Sequence, residues 1–125
     1  VSQYVASLPA ERLGWLAGLR DPHIGRALAL LHARPVEGWT AEALALEVGM
    51  SRSVFAERFT ALVGQPPMQY LTLWRMHVAA QQLREGRGNV AQVGFAVGYE
   101  SEAAFSRAFK RPFGVSPGSW RRQSV

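Results

Sequence analysis

The chain has no cysteine, a single lysine and no stretch in which apolar and polar residues alternate as they do along a strand. Without cysteine there can be no disulfide, no thiolate metal site and no thiol nucleophile, a composition that fits a reducing compartment such as the cytoplasm. No apolar run reaches the ~18 residues that would cross a bilayer, and no signal peptide is visible. The three histidines, His23, His32 and His77, are spaced so that no two share one helical turn, which suggests no zinc site. No serine has a visible histidine–acid partner for nucleophilic catalysis. The expectation is a protein with no metal, no cofactor and no enzymatic activity.

What is present is arginine. Thirteen of the fourteen basic residues are Arg, the net charge is +5 and the pI is near 10.7. Arg favours forked contacts with phosphate and guanine, so a polyanionic partner is indicated. Residues 1–60 carry six Arg and six acids, a balance of zero; residues 61–125 carry eight basic residues and three acids. The whole excess therefore lies in the second half. Hydrophobic residues at 48% and charged residues at 18% describe a folded globular protein. The chain starts at Val1 and is read as a fragment of a longer protein.

Helical periodicity runs almost without interruption, so the expected class is all-α. Residues 1–20 form an amphipathic preface in which a helix begun at Pro9 would place Leu13, Leu16 and Leu19 beside Trp15. Asp21-Pro22 is a cap and first-turn pair for a helix with Ile24, Ala27, Leu28 and Leu31 inward, stopped at Arg34-Pro35. Thr40 caps a short helix through Val48, Gly49 turns, and Ser51 caps a longer helix ending at Gly64. Pro66-Pro67 opens a long helix to about Glu85, with Tyr70, Leu71, Trp74, Val78 and Leu83 as its apolar residues. Asn89 caps another short helix, Gly98 turns, and Ser101 caps a second long helix that Pro112 is expected to end. Ser116-Pro117 begins a last basic turn with Trp120, Arg121 and Arg122.

The pattern repeats. At an offset of fifty residues Ser51 pairs with Ser101, Phe55 with Phe105, Phe59 with Phe109, Gly64 with Gly114, Pro67 with Pro117 and Tyr70 with Trp120. Upstream of the capping serines the offset is 49, pairing Thr40 with Asn89, Val48 with Val97 and Gly49 with Gly98, so one extra residue sits in the second turn. Each unit reads as cap, short helix, glycine turn, capping serine and long helix with aromatics at i and i+4. That is the grammar of a helix-turn-helix. The alternative is a pair of plain helical hairpins. A connecting helix from 66 to 85 would be about 30 Å long, close to the ~34 Å between successive major-groove faces on one side of B-DNA. Two such motifs would read an asymmetric site.

In the first long helix Val54, Phe55, Phe59 and Leu62 are expected inward, leaving Arg52, Ser53, Ala56, Glu57 and Thr60 outward. In the second, Ala104, Phe105, Ala108 and Phe109 are expected inward, leaving Glu102, Ala103, Ser106, Arg107 and Lys110 outward. Arg107 is the strongest base-reading candidate, since a guanidinium can grip guanine O6 and N7 together; the competing reading pairs it with Glu100 or Glu102. Ala56 and Ala103 suit thymine methyls. Glu57 and Glu102 suit a cytosine amine, or are simply solvated acids. Lys110, Arg111, Arg121 and Arg122 cluster after the second helix, and Arg75, Arg84 and Arg87 line the spacer; a solvated face or phosphate anchoring would both explain them, and the concentration of charge favours phosphate. The capping serines Ser51 and Ser101 stand at helix N-termini, where phosphate is favoured.

The stretch from Gly98 to Arg122, GYESEAAFSRAFKRPFGVSPGSWRR, together with TAEALALEVGMSRSVFAERF and VGQPPMQYLTLWRM upstream, resembles the DNA-binding region of AraC/XylS regulators. The resemblance covers about residues 21–122. It implies about seven helices forming two homeodomain-like helix-turn-helix subdomains, at about 40–64 and 89–114, joined by a linker helix at 66–85. Carried over by motif position, the base-facing residues are Arg52, Ser53, Ala56 and Glu57 in the first lobe and Glu102, Ala103, Ser106 and Arg107 in the second. It further implies binding of double-stranded DNA by a monomeric fragment. RNA polymerase and a small-molecule effector would engage the intact protein, the effector through an upstream domain of which residues 1–20 are the tail. One departure concerns the first lobe, where Ser53, Ala56 and Glu57 are small or acidic. Either that lobe reads methyl groups and shape, or the second lobe does more. A protein-interaction module presenting Trp39, Trp15 and the N-terminal leucines is the main rival; adhesion to a membrane surface is disfavoured, because the aromatics lie opposite the basic residues.

Overall fold

A computed structural model of the chain describes residues 15–123, with side chains from residue 17 onward. The described residues form eight helices and no strand: α1 (Trp15–Gly18), α2 (Pro22–Ala33), α3 (Ala41–Glu47), α4 (Arg52–Val63), α5 (Pro67–Arg84), α6 (Val90–Ala96), α7 (Glu102–Phe113) and α8 (Pro117–Gln123). They group into two compact units, one ending at Trp74 and the other starting at Arg75, so α5 gives its first half to one and its second half to the other. The preface helix expected from Pro9, with Leu13 and Leu16 inward, lies outside the described side chains. Leu19, expected beside them, is 48% exposed.

The cap residues act as their chemistry dictates. Asp21 accepts from the backbone N–H of His23 and Ile24 at 2.9 and 3.0 Å, which holds its carboxyl below the usual range against a smaller opposing effect of burial. Thr40 accepts from Ala43 N and Asn89 from Gln92 N, the latter within a reciprocal capping box with the Gln92 side chain. The two short helices end alike. Gly49 N donates to Leu46 O and Met50 N to Ala45 O; Gly98 N donates to Phe95 O and Tyr99 N to Gly94 O. This double closure requires left-handed backbone at the glycine, where φ is 73° at Gly49 and 98° at Gly98.

The first unit is built around Ile24, Ala27, Leu28 and Leu31 of α2, Leu44 and Ala45 of α3, Phe55, Phe59 and Val63 of α4, and Tyr70 and Leu71 of α5, all buried. Phe59 meets Phe55 at 5.7 Å and Tyr70 edge-on at 5.9 Å. Burying each such side chain stabilises by roughly 1.5–3 kcal/mol. Val54, expected in this stripe, is 50% exposed, and Leu62 is only half-buried. The i, i+4, i+8 row Phe55–Phe59–Val63 is enough to seat α4, and Val54 stands about 100° away from it. Trp39 is buried and its ring N–H closes α2 by donating to Arg34 O at 3.1 Å.

The second unit packs Met76, Ala79, Ala80 and Leu83 of α5 against Val93, Val97, Phe105, Phe109 and Trp120. Trp74 and Val78, expected as main apolar contacts of α5, are half-buried; small Ala79 and Ala80 sit at the interior instead, leaving room for large rings. Phe109 stacks on Phe113 at 4.4 Å, and Trp120 lies 4.7 Å from Phe113 and edge-on to Phe109 at 6.1 Å. Pro112 does not end α7, which runs one residue further, to Phe113. Pro112 falls in the last turn, where its missing N–H removes a single helical bond, and Gly114 then closes the helix with φ 77° and an N–H to Lys110 O at 2.7 Å.

Candidate nucleic-acid interface

Each unit presents one helix whose N-terminus and outer face are exposed. In α4, Ser51 Oγ accepts from Val54 N at 3.3 Å, and in α7, Ser101 Oγ accepts from Ala104 N at 3.1 Å. Each hydroxyl satisfies one of the first amides; the others a helix cannot satisfy internally, and they carry its positive dipole end. Both Ser51 and Ser101 are exposed at that end.

Of the residues singled out for base contact, Arg52, Ser53 and Glu57 are exposed on α4 and Ala56 is half-buried; Glu102, Ala103 and Arg107 are exposed on α7 and Ser106 is half-buried. Arg107 makes no ion pair with Glu100 or Glu102, and neither Arg52 nor Lys110 is paired among the described residues. Glu102 lies in the first turn of α7, where an acid complements the helix dipole. Ala104 and Ala108, expected inward, are half-buried beside the fully buried Phe105 and Phe109.

The basic residues expected at phosphate divide. Lys110, Arg111 and Arg122 are exposed, with Arg122 Nη2 donating to Ser119 Oγ at 3.1 Å. Arg75 is half-buried, and its charge and that of Arg111 both reach Tyr99, whose phenol is pushed up by burial and held back by those two cations. Arg84 lies over the Trp120 ring at 5.2 Å, and Arg87 pairs with Glu85 at 2.9 Å. Arg121 donates from Nε to Leu83 O at 3.0 Å and from Nη2 to Gly88 O.

Several features escape sequence reasoning. His23 Nδ1 donates to Val48 O at 2.9 Å, tying the start of α2 to the helix-turn-helix turn; the carbonyl can only accept, which fixes the tautomer. Arg58 pairs with Asp21 at 3.5 Å. Tyr70 is fully buried and bonds through its hydroxyl to His32 Nε2, while the His32 ring lies 4.1 Å from Trp74. Leu46 and Phe95, partners at the 49-residue offset, are 82% and 56% exposed. The repeat itself could have flagged that last pair. Among the described residues no helix is long and apolar enough to cross a membrane, and no group of three His, Cys, Asp or Glu comes together.

Two units, each with a short helix, a glycine turn and an exposed second helix, define a double helix-turn-helix protein. A family profile described as "Helix-turn-helix domain" matches residues 44–123. The chain is 51% identical over 109 residues to a protein named as an AraC-like transcription regulator in Streptomyces lividans, covering 87% of this chain and 36% of that one. It is 43% identical over 124 residues to the HTH-type transcriptional regulator AlkR of Acinetobacter baylyi, covering 99% of this chain and 40% of the relative. Among solved structures, the DNA-binding domain of the global transcriptional factor AdpA in complex with a target DNA superposes with a TM-score of 0.75 at 31% identity, over 82% of this chain and 92% of that one. The chain belongs to the AraC-type helix-turn-helix family. It spans about two fifths of the length of these curated relatives.

Proposed function

We propose that this chain binds double-stranded DNA sequence-specifically, with α4 and α7 each entering the major groove in adjacent segments, and so regulates transcription. The observation that carries the reading is the duplicated exposed helix N-terminus, each copy preceded by the same closing turn and followed by the same aromatic anchor. The likeness to a domain solved with its target DNA supports it. On this reading the motifs occupy about 40–64 and 89–114. Base edges are met by Arg52, Ser53, Ala56, Glu57, Glu102, Ala103, Ser106 and Arg107, and phosphates by Ser51, Ser101, Arg75, Lys110, Arg111 and Arg122. For the intact protein the reading extends to a cytoplasmic location, contact with RNA polymerase, and a small-molecule effector held by an upstream domain to which residues 1–20 connect.

Selection from a randomised duplex pool at two salt concentrations tests it. Enrichment of an asymmetric site with two blocks about one helical turn apart is the expected result. Retention without sequence preference, or none at low salt, overturns base reading. A second reading, contact with a protein partner, draws on the exposed Leu46 and Phe95; that association would be insensitive to salt, whereas DNA binding falls steeply with it.

A further inference from the structure

The position of Arg121 marks it for phosphate, but its guanidinium is engaged elsewhere. Nε donates to Leu83 O at 3.0 Å and Nη2 to Gly88 O. These two carbonyls flank a turn with two left-handed glycines, Gly86 at φ 74° and Gly88 at φ 81°. The turn closes α5 through Gly86 N to Leu83 O at 3.2 Å and Arg87 N to Gln82 O at 3.0 Å, so Leu83 O receives a second donor from Arg121. Glycine backbone gives such a segment wide freedom. A planar fork that spans it, set against the negative end of a helix dipole, removes that freedom.

The helices beyond the turn depend on it directly. Asn89 caps α6, and α6 approaches α7 so closely that a Cβ on Gly94 would lie 2.9 Å from Phe105 Cβ. The turn sets where α6 starts, and α6 in turn bears on α7 beside the packing that α7 makes on α5. Trp120, the neighbour of Arg121, fixes the other side by donating from its ring N–H to Ala80 O at 3.1 Å while packing on Phe109 and Phe113. The first unit solves the same problem locally. There the carbonyl of the residue that caps α2, Arg34 O, is taken by Trp39, five residues on, and the counterpart of Arg121 at the fifty-residue offset is the buried Leu71.

We infer that Arg121 is a positioning residue for the second recognition helix: its fork locks the turn between α5 and α6 and so fixes how α7 is presented, in place of a phosphate contact. The inference rests on the DNA-binding reading for its consequence, though not for its geometry.

The test uses the full chain and the variants Arg121→Ala and Arg121→Lys, with Lys110→Ala as a control of the opposite kind. Amide hydrogen exchange on the free protein is expected to quicken about tenfold or more in α6 in both Arg121 variants, with α2–α4 unchanged. On a selected duplex, Arg121→Ala is expected to flatten base preference in one block while the log–log salt slope stays at the parent value. A phosphate ligand would instead lower the slope by about 0.9, weaken all sequences alike and be rescued by lysine. That pattern, unchanged exchange in α6, or exchange that quickens equally in α2–α4 overturns the inference. If the parent chain binds no DNA, the function proposed above fails, and the exchange arm alone still decides the clamp.

Discussion

Gly94 and Phe105 touch at backbone range: a Cβ built on Gly94 would lie 2.9 Å from the Cβ, Cγ and Cδ2 of Phe105. The phenylalanine Cβ cannot swing aside, so α6 and α7 would have to part. In the first unit the equivalent position is Ala45, whose methyl is already accommodated in the core. Gly94→Ala is expected to destabilise the second unit by about 1–3 kcal/mol, the range for overpacking, with the first unit unaffected. Thermal unfolding followed by the aromatic signals of each unit checks this, and an unchanged second transition would show that the helices have slack.

Arg107 stands exposed one turn into α7 and makes no ion pair with either neighbouring acid. Arg107→Ala is expected to lower specific affinity by about 1–3 kcal/mol and to relax preference at one base pair. Competition binding against single-substituted duplexes reads this; equal affinity of variant and parent for every duplex removes Arg107 from base reading.

For Arg111 the expectation differs in kind. It is exposed, on the last turn of α7, and its charge reaches Tyr99. Arg111→Ala should weaken all duplexes alike and reduce the salt slope by about 0.9. A slope equal to the parent's rules out a phosphate contact there.

The His32–Tyr70 pair gives the first unit a pH dependence. Burial pushes the His32 imidazole below its ordinary value and the Tyr70 phenol well above its own, so at neutral pH the bond joins a protonated phenol to a neutral ring. The unfolded chain takes up the His32 proton near pH 6.5, before the folded one does. Stability is therefore whole above that value and is lost as pH falls through the lower folded value. Urea unfolding of the parent and of His32→Gln between pH 7.5 and about pH 5 should show the parent losing more than the variant over the interval. Parallel curves would mean the imidazole is not the titrating group.

Much of the fold was legible because its signals are local. Asp21, Thr40, Ser51, Asn89 and Ser101 each announce a helix start through a side-chain oxygen two or three residues ahead of an amide, and Gly49 and Gly98 announce turns. The pairs Phe55/Phe59 and Phe105/Phe109 fix which face is buried. What was not legible depends on the partner surface. Val54 reads as core by periodicity, yet half of it is exposed; Met76, Ala79 and Ala80 are buried in a cluster completed by Trp120, forty residues further on. For the candidate site, charge and exposure could be anticipated for Arg52, Arg107 and Lys110. The diversion of Arg121 to two carbonyls 33 and 38 positions earlier could not, since no local pattern encodes a hydrogen bond at that range.

The two units also differ in when they can be completed. The first has its closing ring, Tyr70, within the opening part of the chain, and Trp39 seals α2 soon after that helix is made. The second must wait for Trp120 and Arg121, both in its last helix. On a ribosome adding about 5–20 residues per second, the first unit is free to fold while the second is still being synthesised. A chain that stops between Trp74 and Trp120 would thus carry one sound half and one open core, a natural target for quality-control proteases.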